Sequence, residues 1–112
     1  MFHNETVNVW SHLIGALCFV VMIFYVLLVE ETLGSLYNHI TMDPVVERVP
    51  RWPIILGCCG AIIMLSASWY FHLYYCQSEA AQIKLQRFDY AGIAIMIASS
   101  VTPCFYYGFM CH

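Results

Sequence analysis

Charge is what this chain has least of. Only 10% of its 112 residues are Asp, Glu, Lys or Arg, against roughly 25% in an average soluble chain. Basic residues are scarcest, with none before Arg48 and no basic run anywhere. A net charge of −3 without a basic patch argues against a nucleic-acid partner. The Lys-free and Arg-free approach to the first apolar block argues equally against a cleavable signal peptide. The six cysteines include no CxxC pair and lie in or beside apolar blocks. A disulfide-stapled secreted domain and a cysteine zinc knuckle both lose their support. The thiols read as small buried hydrophobes.

What fills the chain instead is apolar, 62% of it. Ten of the eleven charged residues sort into two groups, Glu30, Glu31, Asp43, Glu47, Arg48 and Arg51, then Glu79, Lys84, Arg87 and Asp89, with Glu5 apart from both. Three apolar blocks lie around them, at residues 12–29, 52–75 and 90–110. Each is long enough to cross ~30 Å of hydrocarbon as a helix, the first at the short end of the range. The fold class is therefore an all-α membrane protein with three transmembrane helices. Residues 1–112 read as one membrane domain.

Residues 1–11 form a polar lead-in, with Asn4, Thr6 or Asn8 available to cap a helix and Trp10 suited to a membrane interface. Asn4-Glu5-Thr6 is formally a glycosylation sequon, too close to the first span to be read as used. His12 reads as a satisfied histidine at the mouth of that span. Residues 30–51 read as a polar connection broken by Pro44 and Pro50, and residues 76–88 as a shorter one. Pro53 suits the first turn of the second helix. Gly57 and Ala61 make a small-xxx-small pair for a close helix contact. In the third span, Ala94, Ala98 and Thr102 form a second candidate packing stripe. Pro103 is expected to kink this helix, with Ser99 and Ser100 able to bond the freed carbonyl. Arg48 and Arg51 at one side balance Lys84 and Arg87 at the other, so basic residues alone do not set orientation.

Polar chemistry concentrates in Ser68, His72 and Asp89. Ser68 and His72 stand at i, i+4 and share one helix face. The short connection makes the second and third helices antiparallel neighbours, which returns Asp89 to the height of His72. Ionisable groups at that depth are costly and usually serve a purpose. Two readings remain open on spacing alone. One is a hydrogen-bonded tie between two helices. The other is a metal corner, in which imidazole is a zinc donor and the carboxylate and hydroxyl attend a water. A Ser–His–Asp hydrolase triad has less support, because no nucleophile elbow or oxyanion hole is visible.

Three stretches carry a family resemblance: Asn4-Glu5-Thr6-Val7-Asn8-Val9-Trp10-Ser11-His12, Ser66-Ala67-Ser68-Trp69-Tyr70-Phe71-His72-Leu73-Tyr74-Tyr75-Cys76, and Phe88-Asp89-Tyr90-Ala91-Gly92-Ile93. In order and spacing the chain resembles the progestin and adipoQ receptor family, also described as haemolysin III-related, and within it the adiponectin receptor branch. The resemblance implies a seven-helix bundle, a cytosolic N-terminus and a Zn2+ site near the cytosolic face. It implies that His72 is one metal ligand, with two more from an HxxxH pair on the last helix. It places Ser68 and Asp89 beside the metal, around its water. It further implies a receptor in lipid-metabolic signalling, with a ceramidase-like amide hydrolysis in the complete bundle. The implied partners are membrane lipid, a lipid ligand or substrate, an extracellular protein ligand and the remaining helices.

The departures bear on activity. Gln77 stands where the adiponectin branch usually has histidine, a position that is not a ligand. No HxxxH occurs, and Cys111-His112 falls at the far end of the third span from His72. The chain thus reads as an N-terminal part of such a protein, holding one of three expected ligands and inactive alone. Two alternatives accompany this reading. One is a receptor whose zinc is purely structural. The other is a three-span packing or helper protein without metal.

Overall fold

The computed structural model describes residues 5–41, 49–74 and 76–110. They form three helices, α1 (Thr6–Thr41), α2 (Trp52–Tyr74) and α3 (Glu79–Met110), with no strand among the described residues. All three are long and apolar enough to span a membrane. α2 matches its apolar block closely. α1 and α3 run past theirs, α1 through the first part of the polar connection and α3 from Glu79 rather than residue 90. Charge marks where lipid ends, and the backbone ladder of a helix has no reason to stop there. The Asp43–Arg48 part of the first connection, with Pro44, lies outside the described residues, as do Asn4, Cys111 and His112.

The helices lie in a row, with α2 packed on both neighbours and no α1–α3 contact among the described residues. The molecule measures 63 × 31 × 15 Å, so it is one helix layer thick. A single layer buries little. Ala16, Cys58 and Ala61 are the buried apolar residues beside Pro53, and large side chains such as Val21, Phe24, Ile97 and Phe109 are exposed. Such faces suit lipid or further helices. Among the five described cysteines, all free thiols, Cys58 is buried while Cys18, Cys59, Cys76 and Cys104 are exposed. The expectation of buried thiols therefore holds only for the cysteine between helices.

Small residues set the helix separations, as is usual where lipid removes the hydrophobic drive between helices. A Cβ on Gly15 of α1 would stand 3.2 Å from Leu65 Cδ1 of α2. On the other side Gly57 receives the Pro103 ring, Gly60 receives Ser99 and Gly92 lies on the Met64 backbone. Ala61 is fully buried. The α3 packing stripe is thus Gly92, Ser99 and Pro103, not the expected Ala94 and Ala98, which are exposed. α3 has one neighbour and buries one face.

α3 continues through Pro103. Ser99 and Ser100 do not bond the carbonyl that the proline frees. Their hydroxyls donate to the carbonyls of Met96 and Ile97, at 3.1 and 3.0 Å. The freed acceptor is the Ser99 carbonyl, four residues before the proline, and it faces Gly57.

Two sets of polar contacts bracket the apolar stretch. At one end Arg51 Nη1 donates to the Val26 carbonyl at 2.8 Å, Tyr107 donates to the Pro50 carbonyl at 2.7 Å, and Trp52 meets Tyr106 edge to face. At the other end Glu5 meets His72. Along α1 the rise from Glu5 to Val26 is roughly 32 Å, about the thickness of the hydrocarbon core. Tyr107→Phe removes one half-buried tie to the α1–α2 connection. It is expected to lower stability by about 1 kcal/mol, measured by reversible SDS unfolding from bicelles.

The α2–α3 connection is short and capped. Gln77 N–H donates to the Tyr74 carbonyl, and Ser78 Oγ accepts from the Ala81 N–H at 3.1 Å, as an N-cap does. The third helix therefore returns directly beside the second.

Candidate functional site

The polar cluster stands where α1 begins and α2 ends. Glu5 precedes α1 and accepts the Val9 N–H on its carbonyl at 2.9 Å, in the N-cap position. Glu5, Asn8 and His12 then fall at i, i+3 and i+7, on one helical face. α2 presents Ser68 and His72 to that face. His72 Nδ1 lies 2.7 Å from Glu5 Oε2, and Asn8 Nδ2 donates to the same oxygen at 2.8 Å. His12 stacks on His72, ring centroids 5.3 Å apart at 20°, and His12 Nδ1 is 3.4 Å from Ser68 Oγ. Ser68 is buried, and the His72 and Glu5 side chains are 18% and 25% exposed.

Ser68 and His72 thus share a face, as their spacing requires, but each is partnered by α1 rather than by the other. Ser68 pairs with His12, and His72 with Glu5. His12 is a satisfied histidine, as expected, with Ser68 as its partner and the His72 ring against it. Glu5 and His12 escaped the sequence reading because their partners lie on another helix, although the i, i+3, i+7 stripe was there to be read.

Asp89 sits on α3, half-buried, with no hydrogen bond or ion pair to another described residue. Gly92, three residues later, packs on Ala67 of α2. In antiparallel register this sets Asp89 level with Tyr70, within ~3 Å of the height of His72. The common height expected for the three residues is present. A hydrogen bond joining them is not.

A groove of about 870 Å³ runs along the layer, lined by Leu13, Leu17, Trp69, Tyr70 and Phe88 among others. Neither Ser68, His72 nor Asp89 lines it. The polar cluster and the groove occupy different faces.

As a zinc site these residues fit in part. His72 is a suitable nitrogen donor with a carboxylate behind it. Among the described residues no three His, Cys, Asp or Glu side chains are grouped to hold a metal. Among the described residues His72 is the histidine that this fit rests on, with Asp89 and Ser68 nearby in height.

The whole chain, residues 1–112, matches the family model described as haemolysin-III related. The chain belongs to the haemolysin III-related family. Its relatives bear receptor and heptahelical names. It is 38% identical over 98% of its length to heptahelical transmembrane protein 1 of Arabidopsis thaliana, covering 32% of that protein. It is 34% identical over 98% of its length to the adiponectin receptor protein of Drosophila melanogaster, and covers 22% of it. Progestin and adipoQ receptor-like protein 1 of Caenorhabditis elegans is 33% identical over 97% of the chain, again with 22% of the relative covered. No solved structure matches. The chain therefore spans a third or less of these haemolysin III-related relatives. Three spanning helices and heptahelical relatives make it an integral, multi-pass membrane protein of adiponectin receptor-like type.

Proposed function

We propose that these three helices contribute one corner of a zinc site in a heptahelical membrane receptor, and that the whole protein hydrolyses a lipid amide such as ceramide. One observation carries this reading. Ser68, His12, His72 and Glu5 gather at one end of the apolar stretch, with Asp89 at about the same height. Such groups are rare at membrane depth and tend to mark functional sites.

His72 would be the ligand from this chain. Bound zinc would supply Lewis-acid polarisation and activation of water. Asp89 would orient that water or accept its proton, from a half-buried position on α3. Ser68, paired with His12, would hydrogen-bond the water or a developing oxyanion. The apolar exposed faces suit a lipid substrate that approaches through the bilayer.

The test uses the whole receptor containing this sequence, with zinc content and ceramide turnover measured together. His72→Ala is expected to lose the metal, and unchanged zinc would remove His72 from the site. Asp89→Ala is expected to keep zinc and lose turnover by about 10²–10⁴-fold, the usual span for a proton-transfer group. If Asp89→Ala leaves turnover intact, or if no turnover exists to lose while signalling persists, the zinc is structural.

A further inference from the structure

Glu5 lies at the very start of the chain's first helix, sixty-odd residues from the histidine it touches. We propose that Glu5 is a positioning residue for His72: its carboxylate holds the imidazole in the Nδ1–H form and leaves Nε2, with its lone pair, as the nitrogen that would bind a metal. The tautomer follows from this chain alone. Only the use made of Nε2 rests on the zinc reading.

The chemistry leaves little freedom. An ionised carboxylate is acceptor-only, so a 2.7 Å contact between Glu5 Oε2 and His72 Nδ1 requires the proton on Nδ1. In a neutral imidazole the other nitrogen then carries the lone pair. Nε2 is the ligand atom by subtraction. A carboxylate behind a ligating histidine is the common arrangement, because it orients the ring and raises its basicity.

Both partners are held. The Glu5 carboxylate also accepts from Asn8 Nδ2 at 2.8 Å, and the Glu5 carbonyl accepts the first-turn N–H of Val9. Its charge sits at a helix N-terminus, where the backbone dipoles favour it. The His72 ring is stacked on His12, and Phe71 lies 5.1 Å away at 58°. His12 is itself placed against Ser68. A half-turn of the ring would put Cδ2 where Nδ1 stands and break the Glu5 contact. Both side chains are only partly open to solvent.

The Glu5 contact fixes the tautomer whether or not a metal follows, so a first test reads the nitrogen and a second reads the use made of it. The 112-residue chain, labelled with 15N-histidine, is placed in nanodiscs at about pH 8, where an ordinary imidazole is neutral. Nitrogen shifts and one-bond N–H couplings of His72 are recorded, its signals assigned by their loss in His72→Gln. The expected result is a protonated Nδ1 and a bare Nε2. Glu5→Leu is expected to abolish this bias, and Glu5→Gln, which retains an acceptor oxygen, to keep most of it. An Nε2–H form in the unmodified chain overturns the proposal, as does an unchanged Nδ1–H form in Glu5→Leu.

A chelator-competition measurement of zinc affinity in the whole receptor gives the second readout. Glu5→Leu is expected to weaken zinc binding by roughly 10–100-fold, with Glu5→Gln in between. Unchanged affinity overturns the positioning role. Loss of the zinc reading itself would appear instead as His72→Ala retaining metal, with the tautomer result standing.

Discussion

Gly60→Ala is expected to push α2 and α3 apart and destabilise the three-helix layer by about 1–3 kcal/mol, the range for overpacking a tight contact. A Cβ at Gly60 would stand 2.6 Å from Ser99 Cβ and overlap Ser99 Oγ. Rotating the serine moves its hydroxyl but not its Cβ, so a rotamer change does not relieve the clash. The hydroxyl also has work where it is, since it donates to the Met96 carbonyl from a buried position. The clash is with a side chain, and this makes it correctable. Ser99→Gly removes the offending atoms, and the double variant is expected to recover part of the loss. Full recovery is not expected, because glycine within a helix costs about 1 kcal/mol relative to alanine. A double-mutant cycle on SDS unfolding in bicelles reads the coupling directly. Additive effects would mean that the two positions do not touch.

Gly92→Leu is expected to act on function as well as on stability. The space beside Gly92 is closed by backbone: a Cβ there would lie 3.0 Å from Met64 Cα and 3.4 Å from Ala67 Cβ. Trimming Ala67 to glycine does not help, because the nearest atom belongs to the α2 main chain. The helices must separate at that level. Asp89 is one turn away on the same helix and moves with it, while His72 stays with α2 and its α1 partners. Under the proposed function, a shift of roughly 1 Å between these groups is expected to lower amide turnover about 10²-fold. Zinc content should be preserved, since the ligand from this chain does not move. The measurement is turnover and metal content of the whole receptor carrying Gly92→Leu. Unchanged turnover would remove Asp89 from the chemistry, and loss of zinc would mean that the α2–α3 spacing also shapes the metal site.

The two substitutions show what a residue pattern conveys about a helix layer. Gly57 and Ala61 announced a close contact on α2, and both lie between helices. The Ala94, Ala98 and Thr102 stripe looked just as convincing on α3, yet Ala94 and Ala98 are exposed. Small residues permit close approach, but the rotation of a helix about its axis decides which stripe is used. That rotation depends on the neighbour. α3 turns Gly92, Ser99 and Pro103 to α2 because these accept the α2 backbone at Gly57, Gly60 and Met64.

Boundaries followed a similar logic. Hydropathy placed the spans at residues 12–29, 52–75 and 90–110, whereas the helices are Thr6–Thr41, Trp52–Tyr74 and Glu79–Met110. Where the sequence Pro50-Arg51-Trp52-Pro53 and a capped connection bound the helix, as at α2, the two descriptions coincide. Where nothing in the sequence stops a helix at the lipid surface, as at Glu30 or Asp89, it continues into water.

What the amino-acid order determined alone is the membrane class, the three spans, the shared face of Ser68 and His72 and the return of Asp89 to their height. These follow from local quantities: hydropathy, the 3.6-residue period and a short connection. The partners of those residues were not local. Only the docking of α1 on α2 brings Glu5 to His72 and His12 to Ser68, because each pair joins positions more than fifty residues apart in the chain. A polar side chain in lipid must find a partner, and sequence states that need. Which atom meets it is settled by the rotation and depth at which two helices pack.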